Sequence, residues 1–243
     1  EVGRWPWPRG RHAELIDAIG SAKPKRQVHD FMFPDATTPT EDSKLAEALQ
    51  RNPGVTLGIG HRIGARDGQS EDLRPLPMFA KHAQLASISA WYNYANEVWM
   101  IPYSTREGNE RFPALASAIA DIRSNSDSSF RINYAFRLES IPTISAADIL
   151  SGKANPDRLK GKTVVVAPKS SRLGDQYRLP GWGNDSGVYI QIIGAETLKA
   201  GRPIDLGWLP AYFLAAISVF GAIKLGGGTG AAGLGVGRPS GFP

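Results

Sequence analysis

The sequence predicts an α/β fold: a mixed central sheet flanked by helices, followed by a C-terminal transmembrane helix. Short runs rich in β-branched and aromatic residues alternate with amphipathic helical runs over residues 1–205, a pattern typical of α/β domains. An apolar segment follows at residues 206–224, and it carries no charge before Lys224. Residues 225–243 form a Gly-rich tail, which we interpret either as part of a truncated second span or as a segment without native structure.

Composition narrows the possible functions. The chain has 243 residues, a hydrophobic fraction of 42% and a net charge of +5, which suits a globular domain with a real core. Basic and acidic residues are mixed along it, so no nucleic-acid-binding arm is predicted. Cysteine is absent, which excludes disulfides and thiolate metal sites. No signal peptide is visible and no methionine begins the chain, so we interpret it as a fragment.

The first half of the chain predicts two helices and two strands. Apolar residues at helical spacing predict a helix from His12 in "HAELIDAIGSA". The run "RQVHDFMFPD" from Arg26 predicts a buried strand that ends before Pro34. "TEDSKLAEALQRN" predicts a capped amphipathic helix beginning near Thr40. "GVTLGIG" predicts a strand from Gly54, and the polar residues after it predict a loop over 64–78.

The second half repeats this alternation. Strands are predicted in "AQLASISAWYNY", in "EVWMIPYST" and in "FRINYAF" from Phe130, and a helix in "FPALASAIADI" from Phe112. "SAADILSG" predicts a short helix capped by Ser145. "GKTVVVAPKSS" from Gly161 predicts the clearest buried strand. "GVYIQIIGAETLKAG" from Gly187 predicts either a strand followed by a helix or a helix throughout.

The apolar segment has the dimensions of a membrane span. At the rise of an α-helix it covers roughly 27 Å, close to the ~30 Å hydrocarbon thickness of a bilayer. Trp208 and Tyr212 lie near one end and Lys224 closes the other, as interfacial anchors do. The alternative interpretation is a buried core helix.

Sequence motifs for catalysis and cofactor binding lack their structural context. "GGTGAAG" has dinucleotide-binding spacing but no preceding strand, and "GIGHRIG" is followed by a segment without an apolar helical face. No G-x-S-x-G elbow occurs. No pair among the histidines has zinc-ligand spacing; they are His12, His29, His61 and His82. We therefore predict no catalytic residue, no metal site and no cofactor.

Four charged residues are the candidates for ligand binding. Asp30 lies in an apolar strand, and Asp175 follows the loop after the clearest strand, where ligands tend to bind in α/β sheets. Arg9 and Arg11 could pair with either acid. The alternative is structural, with each carboxylate capping loop amides. Structural roles are predicted for the aromatic and proline residues nearby, namely Trp5, Trp7, Phe33 and Pro34.

Several runs, in this order, resemble the CHASE2 domain family over most of residues 3–205. They are "WPWPRGRHAELI", "DFMFPD", "EDSKLAEAL", "ISAADILSG", "LKGKTVVVAPKSSRLGDQY" and "SGVYIQIIGAETLKAGRPI". The family's first strand, which precedes the W-P-W-P-R run, is missing here.

The resemblance implies an extracytoplasmic sensory domain of a bacterial transmembrane receptor, at the inner membrane. It implies an unknown small-molecule signal, a homodimer, and a cytoplasmic cyclase, kinase or diguanylate cyclase module elsewhere in the protein. This fragment itself would not be an enzyme. Two alternatives stay open: a soluble α/β enzyme with a nucleotide or sugar-phosphate substrate, and a dimerisation module without a ligand.

Overall fold

The computed structural model of the chain describes residues 5–63, 70–122, 124, 126–169, 176–201 and 207–226. Two compact units make up the chain. The first, Glu1–Pro203, is called the α/β unit here, and the second is Ile204–Pro243. The helices are α1 (Arg9–Ser21), α2 (Pro39–Arg51), α3 (Pro77–Ala80), α4 (Leu115–Ala120), α5 (Ala146–Leu150), α6 (Val188–Ala200) and α7 (Leu209–Gly226). The strands are β1 (Arg26–His29), β2 (Thr56–Ile63), β3 (Ser70–Leu73), β4 (Gln84–Ser87), β5 (Trp91–Tyr92), β6 (Val98–Pro102), β7 (Ser104–Glu107), β8 (Glu110–Pro113), β9 (Ser129–Arg131), β10 (Thr163–Val166), β11 (Gln176–Leu179) and β12 (Gly183–Ser186).

The main sheet is mixed in direction, which confirms the α/β part of the predicted fold class. Strands β10, β1 and β2 are neighbours and run parallel. The first half of β2 pairs parallel with β4, and its second half pairs antiparallel with β3. The other sheets are antiparallel: β5-β6-β9, the β7-β8 hairpin and the β11-β12 hairpin.

Helices cover the main sheet, and their apolar stripes supply the core. Buried side chains of α1 and α2 pack in one cluster with Leu57 of β2 and with Phe79 of α3. A second cluster joins Val28 of β1 and Ala86 of β4 to α4 and to α6. Helix α6 is helical throughout and also contributes to the largest cluster, which includes residues of β6 and β9.

Several local predictions need correction. Helix α4 begins at Leu115 and not at Phe112, because Phe112 belongs to β8. The predicted polar loop contains β3 and α3, and residues 64–69 lie outside the described part of the chain; the exposed Asp72 of β3 explains why this strand shows no apolar alternation. Strand β10 is half-buried because it ends the strand order of the main sheet. The cap of α2 is Thr38, whose hydroxyl accepts the Glu41 N–H at 3.4 Å.

Helix α7 carries large apolar side chains that are exposed. Leu214, Ile217 and Phe220 are 66%, 68% and 70% exposed. Among the described residues, we find no helix with both the length and the apolar character needed to cross a membrane. The first residue of the predicted span, Leu206, and most of the Gly-rich tail, residues 227–243, lie outside the described ranges.

Candidate functional site

An aromatic cluster joins the entry of α1 to the segment after β1. We call it the entry cluster, and it consists of Trp5, Trp7, His12, Phe31 and Phe33. The Trp5 and Trp7 ring centroids lie 5.8 Å apart, and Trp5 lies 5.8 Å from Phe31. His12 lies 4.9 Å from Phe31 and 5.0 Å from Phe33, edge to face. The predicted structural residues Trp5, Trp7 and Phe33 therefore lie together, and Pro34 follows Phe33 as a half-buried residue.

Phe33 is held in an unusual backbone conformation. Its φ of 52° lies in the left-handed region, which is uncommon for a bulky side chain. The ring is 5% exposed and contacts Phe79 of α3 at 6.2 Å between centroids. Packing on both sides thus offsets the backbone strain at this position.

Arg9 lies on the entry cluster and is paired within the fold. Its guanidinium carbon is 4.4 Å from the Phe33 ring centroid, and its Nη2 donates to the Asp35 carbonyl at 3.1 Å. Its Nε is 3.9 Å from Asp42 Oδ1, and the two side chains are 14% and 6% exposed. Burial lowers the pKa of Arg9, against the raising effect of Asp42 and Asp35. Asp42 also accepts hydrogen bonds from the backbone and hydroxyl of Thr37.

The other candidate residues occupy different places. Arg11 pairs with Glu14 at 2.6 Å on the exposed side of α1. Asp30 follows β1, is half-buried, and donates its backbone N–H to the Val166 carbonyl at 2.9 Å. Asp175 lies outside the described residues. The carboxylates that pair with the two arginines are thus Asp42 and Glu14, which the sequence analysis did not single out.

Two histidines are buried at the entry cluster, namely His12, which belongs to it, and His29 of β1. Burial and the charge of Arg9 lower the pKa of His12 to about 4. Burial and the proximity of His12 lower the pKa of His29 to about 3. His29 Nε2 lies 3.2 Å from Gln27 Oε1. Both imidazoles are therefore neutral at pH 7, and they serve as packing groups. Within the described ranges, no group of His, Cys, Asp and Glu side chains is arranged to hold a metal ion.

We expect acid to destabilise the fold through these histidines, and His12→Phe to remove part of this effect. An unfolded histidine takes up its proton near pH 6.5, whereas His12 in the fold does so near pH 4. The stability is therefore complete above pH 6.5 and is lost as the pH falls toward 4. For His12 this loss is about 3 kcal/mol. Urea unfolding at about pH 7 and about pH 4.5 measures it, and equal acid sensitivity in parent and variant would contradict the assignment.

A cavity of about 340 Å³ lies next to Lys169, three residues after the end of β10. Trp182, Asp185 and Tyr189 are among the other residues that line it. Lys169 Nζ is 5.4 Å from the centroid of the Tyr189 ring. A hydrogen bond to Tyr189 and the charge of Asp185 raise the pKa of Lys169. Of the predicted ligand-binding residues that the structure describes, namely Arg9, Arg11 and Asp30, none lines this cavity.

Comparison with known proteins gives one match. The family model described as "CHASE2 domain" matches residues 1–227. The match covers both the α/β unit and α7, and it confirms the resemblance drawn from the sequence motifs. No curated protein and no solved structure matches the chain.

Proposed function

Because this chain belongs to the CHASE2 family of sensory domains, we propose that it is the extracytoplasmic sensory domain of a bacterial membrane receptor. The family is not catalytic, which favours a sensor over the soluble-enzyme alternative. The observation that carries the proposal is the extent of the match, since residues 1–227 include α7 as well as the α/β unit. A sensory domain needs a segment that carries its state onward, and α7 follows α6 along the chain.

Signal transmission would proceed from the α/β unit toward the membrane. A small-molecule ligand, or a second copy of the domain, would favour one of two arrangements of the C-terminal helices. Arg9 and Asp30 stay the proposed ligand contacts, because they lie near or after the carboxyl end of β1. The output would be a cyclase, kinase or diguanylate cyclase module elsewhere in the protein.

The composition of α7 supports a membrane location for this helix. Its side chains carry no charge before Lys224, and the Ser218 hydroxyl donates to the Leu214 carbonyl at 2.8 Å within the helix. Trp208 and Tyr212 form an edge-to-face pair at 5.3 Å near its first turn. Aromatic residues at one end and a lysine at the other fit the two interfaces of a bilayer.

We expect the Ile217→Asp/Phe220→Asp double variant to lose membrane association. Each aspartate at the centre of a spanning helix costs about 3 kcal/mol on insertion scales. The measurement is flotation of the full chain with vesicles of phosphatidylethanolamine and phosphatidylglycerol. Parent chain should float with the lipid, whereas the double variant should stay in the dense fraction.

Tyr94→Asp provides the matched control, because Tyr94 is 104% exposed and belongs to the α/β unit. It should float as the parent chain does. A parent chain that remains in the dense fraction without detergent would refute the membrane receptor and would favour the soluble enzyme.

A further inference from the structure

A second cavity, of about 310 Å³, lies at the amino ends of β1 and β4. Arg26 begins β1 and Gln84 begins β4, and both line this cavity together with Ser117 and Ala118 of α4. It therefore lies at the opposite ends of these parallel strands from the predicted ligand contacts. Its volume is at the lower limit of small-molecule sites in proteins.

Two guanidinium groups line this cavity, and each is fixed by the fold. Arg26 Nη1 donates to the Ala118 carbonyl at 3.0 Å, and its Nη2 is 2.6 Å from Asp121 Oδ1. Arg111 Nη1 donates to Ser104 Oγ at 2.9 Å and to Asp127 Oδ1 at 2.5 Å.

The two arginine side chains are shielded more than their carboxylate partners are. Arg26 and Arg111 are 20% and 22% exposed, whereas Asp121 and Asp127 are 48% and 77% exposed. Water screens the carboxylates, so their attraction to the guanidinium groups is weakened. Asp121 also lines the cavity, so its charged lining consists of two guanidinium groups and one carboxylate.

Arg111 also supplies hydrogen-bond donors to the cavity. The hydroxyls of Ser104 and Ser117 donate to the carbonyls of Ser126 and Tyr103, at 3.0 and 3.3 Å. Within the part of the chain that the structure describes, Nε and Nη2 of Arg111 have no hydrogen-bond partner. A molecule that accepts hydrogen bonds would pair these donors of Arg111, and a negative charge on it would strengthen the bonds.

We propose that this cavity binds a small organic carboxylate. A planar carboxylate matches the fork of donors on a guanidinium, here that of Arg111. The apolar side chains of the lining, Leu85, Pro113 and Ile122, would cover the hydrocarbon part of the ligand. A bare inorganic anion would leave this apolar surface in contact with water.

The cavity adjoins α4, which packs against α6 near the end of the α/β unit. Leu115 and Ile119 of α4 pack in one cluster with Ala195 of α6, and Gln191 Oε1 of α6 accepts the Ala116 N–H of α4 at 3.0 Å. A ligand against Ser117 and Ala118 would thus bias the position of α6. That the carboxylate is the signal rests on the proposed function, whereas its binding does not.

The test is calorimetric titration of the detergent-solubilised full chain with benzoate as the probe. Benzamide, with the same shape and no charge, is the matched ligand, and Arg178→Gln is the matched control variant, because Arg178 is 62% exposed and pairs with Glu97 outside the cavity. We expect Arg111→Gln to raise the benzoate Kd about tenfold or more. Arg178→Gln should leave it unchanged, and Arg111→Lys, which keeps the charge without the fork, should lie between them.

Several results would overturn the proposal: no benzoate binding by the parent chain, equal affinity for benzamide, tighter binding of inorganic phosphate, or an equal loss in Arg178→Gln. Thermal unfolding of each variant shows that it is folded before titration. If the receptor function is wrong, the parent chain will not float with vesicles, but it can still bind benzoate. The two failures are therefore distinguishable.

Discussion

The Trp5→Ala/Trp7→Ala double variant is expected to lose about 3–5 kcal/mol of unfolding free energy, the usual cost of truncating a buried large aromatic residue. Each tryptophan is half-buried, so the pair together approaches the burial of one fully enclosed ring. Both rings contact His12, at 6.0 and 5.5 Å between centroids. Their removal would expose His12 and Phe31. Urea unfolding of the detergent-solubilised chain, followed by circular dichroism, measures the loss.

Tyr94→Ala is the control for this variant, since it removes an aromatic side chain that is 104% exposed. Its stability should stay within about 0.5 kcal/mol of the parent value. Equal stability of the parent chain and the double variant would refute the packing role of the entry cluster.

Gln191→Leu is expected to destabilise the chain by about 2–4 kcal/mol. Gln191 is 3% exposed, accepts the Ala116 N–H and donates to the Ile88 carbonyl at 3.0 Å. Leucine fills the space but satisfies neither backbone group, and each buried unsatisfied group costs about 1–3 kcal/mol. Because Ala116 lies in the first turn of α4, the variant should also loosen the α4–α6 contact. Hydrogen exchange of the Ala116 amide reports this directly.

Gln50→Leu makes the same chemical change at an exposed position of α2, and it should alter stability by no more than about 0.5 kcal/mol. Equal stability of the two leucine variants would show that the hydrogen bonds of Gln191 do not contribute to the free energy of unfolding.

Local patterns were sufficient to predict the helices and strands that carry a clear apolar period. Helices α1 and α2 and strand β2 follow from spacing and caps within a few residues. For α6 the sequence left open whether the segment begins as a strand, and the structure shows a helix throughout. Strand β3 and hairpin β7-β8 were missed because their side chains are largely polar or half-exposed and their pairing depends on neighbours elsewhere in the sheet. The half-buried state of β10 could not be predicted either, since an edge position is a property of strand order and not of the strand's own sequence.

In the candidate sites, too, the sequence predicted neighbours that are close along the chain and missed those that come from distant segments. The sequence placed Arg9 beside Trp5 and Trp7 because these residues are adjacent along the chain. It could not predict Asp42 as the partner of Arg9, since α2 brings that carboxylate from a later segment. The Arg26 and Arg111 cavity was missed for the same reason, because its two arginines come from β1 and β8 and no sequence motif connects them.

The pairing of β1 with β10 dictates when the sheet can be assembled. Arg26 lies beside Thr163 in the register, so one edge of β1 has no neighbour until most of the α/β unit has been synthesised. Contacts of such long sequence separation slow folding, and an unpaired strand edge favours association with other chains. Until Val166 has been synthesised, the edge of β1 that β10 covers in the folded domain is therefore open to pairing with the strands of other chains.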